Sequence, residues 1–156
     1  MSENLDPLCI PLSGLHLIEA SAGTGKTYTI AQLLLRLVVE AGLSLEQILV
    51  LTFTEAATEE LRDRIARRLR QALEALNGSP TKDTLLSDWV ASRPDPGLAR
   101  ARLEAALAGL DLAAIHTIHG FCQRVLRDFA FESGTPFDTE LISDERDLRR
   151  AAAEDF

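Results

Sequence analysis

Lysine is nearly missing from this chain: Lys26 and Lys82 are its only two, in a protein rich in arginine. Cysteine is as scarce. Cys9 and Cys122 stand far apart, and two such thiols make no disulfide framework, so both are expected to stay reduced in a cytoplasmic protein. Long apolar runs are missing too. The richest stretch, LLLRLVV, is short and carries Arg36, well under the roughly 20 apolar residues of a membrane span. The opening residues MSENLDPLCI have neither a basic start nor an apolar stretch, which excludes an ordinary secretion signal. A positive balance is also lacking. The net charge is −8 and the pI about 4.9, whereas nucleic-acid-binding domains usually carry a basic face.

What remains is enough for about one folded domain. The 156 residues are 46% hydrophobic and 26% charged, a soluble globular balance. Basic charge gathers in one stretch, at Arg62, Arg64, Arg67, Arg68 and Arg70. Such a run is either a solvated helix face or a patch lining a groove.

Residues 15–19, LHLIE, read as a short buried strand. Ile30, Leu33, Leu34, Leu37 and Val38 then recur at helical spacing, and Gly42 ends that helix. Residues 48–53, ILVLTF, read as a second buried strand. Thr54 can cap the helix after it, whose buried stripe is Leu61, Ile65, Leu69, Leu73 and Leu76. A loop at 77–84 leads to a helical pair around 85–92 and 98–110, broken by Pro94 and Pro96. A third strand is expected at 112–118 and a helix at 120–131. The tail reads as a turn at 133–136 and a charged helix from 143. This alternation predicts an α/β fold, a parallel sheet flanked by helices with a helical insert at about 77–110.

Between the first strand and the first helix lies ASAGTGKT: Ala20, Ser21, Ala22, Gly23, Thr24, Gly25, Lys26 and Thr27. The phosphate-loop pattern is G-x-x-x-x-G-K-[ST] in that same setting. Ala20 replaces the first glycine; Gly25, Lys26 and Thr27 match. Glycines let the backbone turn with positive φ and approach a ligand. The helix start offers N–H groups and about half a positive charge. Lys26 supplies a full charge to the β and γ phosphates, and Thr27 a hydroxyl to Mg²⁺, so ATP and Mg²⁺ are the expected cofactors. A glycine-rich turn with no ligand is the bland alternative, and the strand and helix on either side disfavour it.

Two further segments narrow the class. Residues 51–65, LTFTEAATEELRDRI, place Thr52, Phe53, Thr54, Ala57, Glu60, Arg64 and Ile65 on the pattern T-F-T-x-x-A-x-x-E-h-x-x-R-I, h being apolar. Residues 117–121, TIHGF, fit T-x-H-x-F. Together with AGTGKT these resemble the UvrD-like group of superfamily 1 DNA helicases. The segments LDPL, LIEASAGTGKT, VLTFTEAATEEL, HTIHGFCQRVL and FESG resemble the RecB family within it, over nearly the whole chain.

That resemblance implies a RecA-like P-loop NTPase domain in an ATP-driven helicase subunit. It implies a nuclease domain farther on, single- and double-stranded DNA as partners, RecC and RecD as companion subunits, and a role in repair of double-strand breaks by recombination. It places Thr52, Phe53, Thr54, Thr117, His119 and Phe121 along the single-strand path. Phe53 can stack on a base, and the hydroxyls and His119 can donate to phosphates. Core packing is the alternative for Phe53 and Phe121.

Other patterns carry less. His116, His119 and Cys122 have a zinc-like spacing, but they fall on a strand and a helix with no fourth ligand in view. Asp144 and Glu145 resemble an acid pair for Mg²⁺. Only Leu141 and Ile142 precede them, and SDERDLRR reads better as a capped helix start. No convincing acid pair for water activation and no glutamine before Gln32 for reading adenine are found. The chain is therefore expected to hold a lead-in (1–14), the first part of motor domain 1A (15–135) and the start of a further helical region (136–156). It is expected to bind nucleotide without unwinding DNA alone, and to leave a sheet edge or apolar flank open. A different P-loop ATPase or small kinase is the runner-up. A non-catalytic module binding a partner through its insert is the third reading.

Overall fold

A glycine opens the first helix. Gly25 is the N-cap of α1 (Lys26–Val39). The computed structural model describes residues 6–19, 23, 25–134, 146, 150, 153 and 154. After α1 come β1 (Val50–Thr52), α2 (Glu55–Leu76), α3 (Thr84–Ala91), α4 (Pro96–Ala108), β2 (Ile115–Thr117), α5 (Ile118–Asp128) and α6 (Ala130–Ser133), with single 3₁₀ turns at Leu45–Gln47 and Leu110–Leu112. The chain divides into two compact units, Met1–Ile118 and His119–Phe156.

The local signals explain the helix ends. Thr54 accepts a hydrogen bond from the Ala57 N–H at 3.1 Å and so caps α2. Asp83 and Asp95 do the same for α3 and α4. Pro96 sits in the first turn of α4, where its missing N–H costs no helical bond. Gly42, at φ 72°, lets the chain leave α1 while the Leu43 N–H bonds the Leu37 carbonyl at 3.1 Å.

The core of the first unit is mostly helix against helix. Leu34, Leu35 and Val38 of α1 meet Leu61, Ile65 and Leu69 of α2, and Leu86, Trp89, Ala99 and Leu103 of the insert join the same cluster. The insert is therefore part of the main core. At about 25 cal/mol per Å² of apolar surface, burying side chains of this size stabilises by roughly 1.5–3 kcal/mol each.

The sheet departs from expectation. Among the described residues it has two parallel strands, β1 and β2, in the register Val50↔Ile115, Leu51↔His116 and Thr52↔Thr117. Residues 15–19 form no strand, and Leu15 and Leu17 are 99% and 86% exposed. An apolar run becomes a strand only by pairing its N–H and C=O groups with a neighbour, and β1 and β2 pair with each other. Leu49 and Leu51 are also exposed, so the run 48–53 is covered on one face only. The open apolar flank is real. The strand expected at 112–118 shortens to Ile115–Thr117, because residues 110–112 make a 3₁₀ turn first.

Two helix readings also change. In α1 the buried stripe is Ala31, Leu34, Leu35, Val38 and Val39, with Ile30 exposed. The buried face has turned by about one residue from the expected one, because Gln32 and Arg36 point inward. The helix expected at 120–131 begins at Ile118 and breaks at Phe129.

Within the second unit, Val125, Leu126, Phe129 and Phe131 are exposed, and Gly134, at φ 66°, caps α6. Residues 135–145 lie outside the described residues, and so does most of the expected tail helix. No helix among the described residues is long and apolar enough to cross a membrane.

Candidate functional site

The glycine turn before α1 is open. Gly23 and Gly25 have φ of 78° and 86°, a region that only glycine enters without strain. A methyl group built on either would meet nothing within 4 Å among the described residues. Ala20, Ser21, Ala22 and Thr24 lie outside the described residues.

Helix α1 starts with no side-chain cap and no acid in its first turn. The first N–H groups of a helix have no partner within it, and no acid of the first turn opposes the positive dipole. Lys26 is the first helical residue and is exposed; Thr27 follows, half-buried. The bare cap, the positive helix end and the ammonium group together suit an anion.

A second cluster lies at the carboxyl ends of the parallel strands, where ligands of such sheets usually bind. The register sets Thr52 beside Thr117, and Phe53 and Thr54 follow Thr52. Phe53 is 82% exposed, outside the core of this chain. The hydroxyls are less available than the sequence suggests. Thr52 donates to the Thr54 carbonyl at 3.1 Å, Thr54 caps α2, and the buried Thr117 donates to Glu55 at 3.0 Å. His119 and Phe121 belong to the second unit, exposed and half-buried respectively.

The arginine run separates on inspection. Arg64 pairs with Glu60 at 2.6 Å on the surface, and Arg62 donates to the Ile115 carbonyl at 3.3 Å. Arg67 and Arg70 are exposed. Arg68 is buried, bonded to Gln32 and paired with Asp83 at 2.6 Å. Reading the five as one face missed this. The available signal was position: Arg68 falls three residues after Ile65 and seven after Leu61, on the buried stripe of α2.

His116 lies on β2 and Cys122 on α5. Among the described residues, no group of three or more His, Cys, Asp or Glu is placed to hold a metal. Asp144 and Glu145 lie outside the described residues. Cys9 and Cys122 are free and exposed.

Residues 2–156 match the UvrD/REP helicase N-terminal domain. The chain belongs to that family. Along its full length it is 47% identical to the RecBCD enzyme subunit RecB of Escherichia coli (strain K12). Over 97% of its length it is 45% identical to the RecB subunit of Haemophilus influenzae, and over 97% again 37% identical to that of Mycolicibacterium smegmatis. It spans 14% of the length of each of these relatives.

Proposed function

We propose that this chain is the nucleotide-binding N-terminal part of an ATP-dependent DNA helicase and nuclease subunit of the RecB kind. In this reading it works in double-strand-break repair alongside RecC and RecD. The observation that carries the proposal is the open turn at Gly23 and Gly25 leading into a helix without a cap. The residues present fit Mg–ATP. The N–H groups at the start of α1 and the Lys26 ammonium would hold the phosphates, and the Thr27 hydroxyl would take a place on Mg²⁺. Bound there, the nucleotide would supply the phosphoryl group whose hydrolysis drives the motor.

The DNA contact rests on Phe53. Exposed at a strand end, its ring can stack on any base. Thr52, Thr54 and Thr117 are proposed to shape that surface more than to grip phosphates, because their hydroxyls are engaged within the protein. His119 and Phe121, in the second unit, are proposed as DNA contacts on the family resemblance alone. The chain alone is expected to bind nucleotide and not to unwind DNA. A small kinase fits less well, since this strand end carries an exposed aromatic and not a catalytic charge.

The test is titration of the protein with a fluorescent ATP analogue and Mg²⁺. Charged hydrogen bonds contribute roughly 1.5–3 kcal/mol, so Lys26→Ala is expected to weaken binding about ten- to a hundredfold. Equal affinity of the variant and the parent protein would refute the phosphate site.

A further inference from the structure

Four side chains from two helices and one loop meet behind the first turn of α1. Arg68 of α2 is the centre; its side chain is 5% exposed. Its guanidinium donates to the Gln32 carbonyl oxygen from two nitrogens, one at 2.7 Å. It donates to the Tyr28 hydroxyl at 3.1 Å and to Asp83 Oδ2 at 2.6 Å. The Tyr28 hydroxyl donates to the same Asp83 oxygen at 3.3 Å, and the guanidinium lies 5.0 Å from the Tyr28 ring centre. Asp83 keeps its other oxygen for the Leu86 N–H, at 3.0 Å, and so caps α3.

Their places in the chain give this cluster meaning. Tyr28 stands two residues after Lys26 in the first turn of α1, and Gln32 one turn below. The N-cap of α1 is a glycine with no side chain to fix that turn. Asp83 is the N-cap of α3, the first helix of the insert. Burial opposes ionisation of Asp83, but the Leu86 N–H and the Arg68 guanidinium hold its carboxyl below the ordinary value, so the charge at the centre of the cluster persists at neutral pH.

We propose that Tyr28, Arg68 and Asp83 are positioning residues that tie the helical insert to the first turn of α1 and so set the pose of the phosphate-binding turn. The inference rests on the phosphate site proposed above. None of the three side chains touches the nucleotide. They act by holding the N–H groups of residues 26–28 in a fixed direction, since misdirected donors bind phosphate less well.

The experiment measures affinity for the fluorescent ATP analogue with Mg²⁺, and the melting temperature, for Tyr28→Phe, Asp83→Asn and the double variant, with Lys26→Ala beside them. Tyr28→Phe keeps the ring and removes two hydrogen bonds. Asp83→Asn keeps an oxygen for the α3 cap and removes the charge. Each single variant is expected to bind roughly three- to tenfold more weakly, well below its melting temperature, and the double variant no more weakly than the worse single one.

Parental affinity in both single variants, with Lys26→Ala impaired, would make the cluster purely structural and overturn the proposal while leaving the phosphate site standing. Additive losses in the double variant would also overturn it, since separate effects are not a tie. Unchanged affinity in Lys26→Ala would overturn both readings. If Asp83→Asn does not fold, Tyr28→Phe alone decides.

Discussion

The two ends of α1 are built in opposite ways. At the C-terminal end almost every polar group has a partner. The Arg102 guanidinium donates to the Val39 carbonyl at 2.6 Å. Arg36, buried, donates to the Pro7 and Ile10 carbonyls at 2.8 and 2.7 Å and pairs with Glu40 at 3.0 Å. Glu40 also accepts from the Trp89 indole at 2.8 Å and from Arg93 at 2.9 Å. At the N-terminal end a glycine stands where a capping side chain would serve. A Ser, Thr, Asp or Asn cap is worth about 1 kcal/mol over a residue that cannot cap. One end of the helix is fastened by side chains, and the other has a glycine N-cap with no side-chain cap, which suits the phosphate site proposed above.

The largest break in this contrast is expected at the fastened end. Arg36→Met keeps a flexible apolar stem and removes the guanidinium and its charge. It leaves the buried Pro7 carbonyl, the half-buried Ile10 carbonyl and the Glu40 carboxylate short of donors, and losing one partner of a buried ion pair costs several kcal/mol. Because Glu40 is partly exposed, a loss of about 2–3 kcal/mol is expected in urea unfolding. Nucleotide affinity, measured well below the melting point, should hold. A drop in affinity comparable to that of Lys26→Ala would mean that the two ends are not independent.

The middle-sized test belongs to the open end. Gly25→Ala meets no steric obstacle, yet it forces a side chain into φ 86°. That conformation costs an L-residue roughly 1–2 kcal/mol. The expected outcome is a stability loss of about 1 kcal/mol by urea unfolding, with weaker binding of the ATP analogue. Unchanged stability would mean that the turn relaxes to negative φ, and the backbone geometry would no longer explain the glycine.

The same contrast separates what could be read from sequence from what could not. Thr54, Asp83, Pro96 and Gly42 act on residues within a few positions, so the helix starts and stops were within reach of short-range rules. The positive φ of Gly23 and Gly25 before α1 is likewise a local property of glycine. Residues 15–19 have the composition of a strand but depend on a partner strand, which no local pattern specifies. Gln32 and Arg36, four residues apart, look like the solvent side of a helix. They face inward because Arg68, Glu40 and two carbonyls from residues 7 and 10 receive them. Burial of a polar side chain is decided by distant partners, and for that reason the inward face of α1 and the role of Arg68 emerge only from the fold. At the strand ends the threonine–phenylalanine motif was plain, but the internal engagement of its hydroxyls was not.

The smallest effect is an acid dependence confined to the fastened end. Burial favours the neutral form of Glu40, but the hydrogen bonds from Arg36 and Trp89 and the charges of Arg36 and Arg93 outweigh it, so its pKa is lowered from the ordinary 4.5. A carboxylate with a depressed folded pKa adds stability that is fully present above its unfolded value and is lost as pH falls through the folded one. Stability should therefore be flat for this group above about pH 5 and decline below 4.5. Partly exposed pairs contribute up to about 1 kcal/mol, which bounds the size of the decline. Asp83 shifts in the same direction, so the acid limb of the parent protein contains both groups, and Glu40→Gln isolates one. The variant should be less stable at neutral pH, because the Arg36 and Arg93 charges lose their partner, and its curve should fall less steeply below pH 4.5. Parallel curves for the two proteins would show that Glu40 binds protons equally in the folded and unfolded chains, and the saturated end of α1 would then owe its strength to Arg36 and the carbonyls alone.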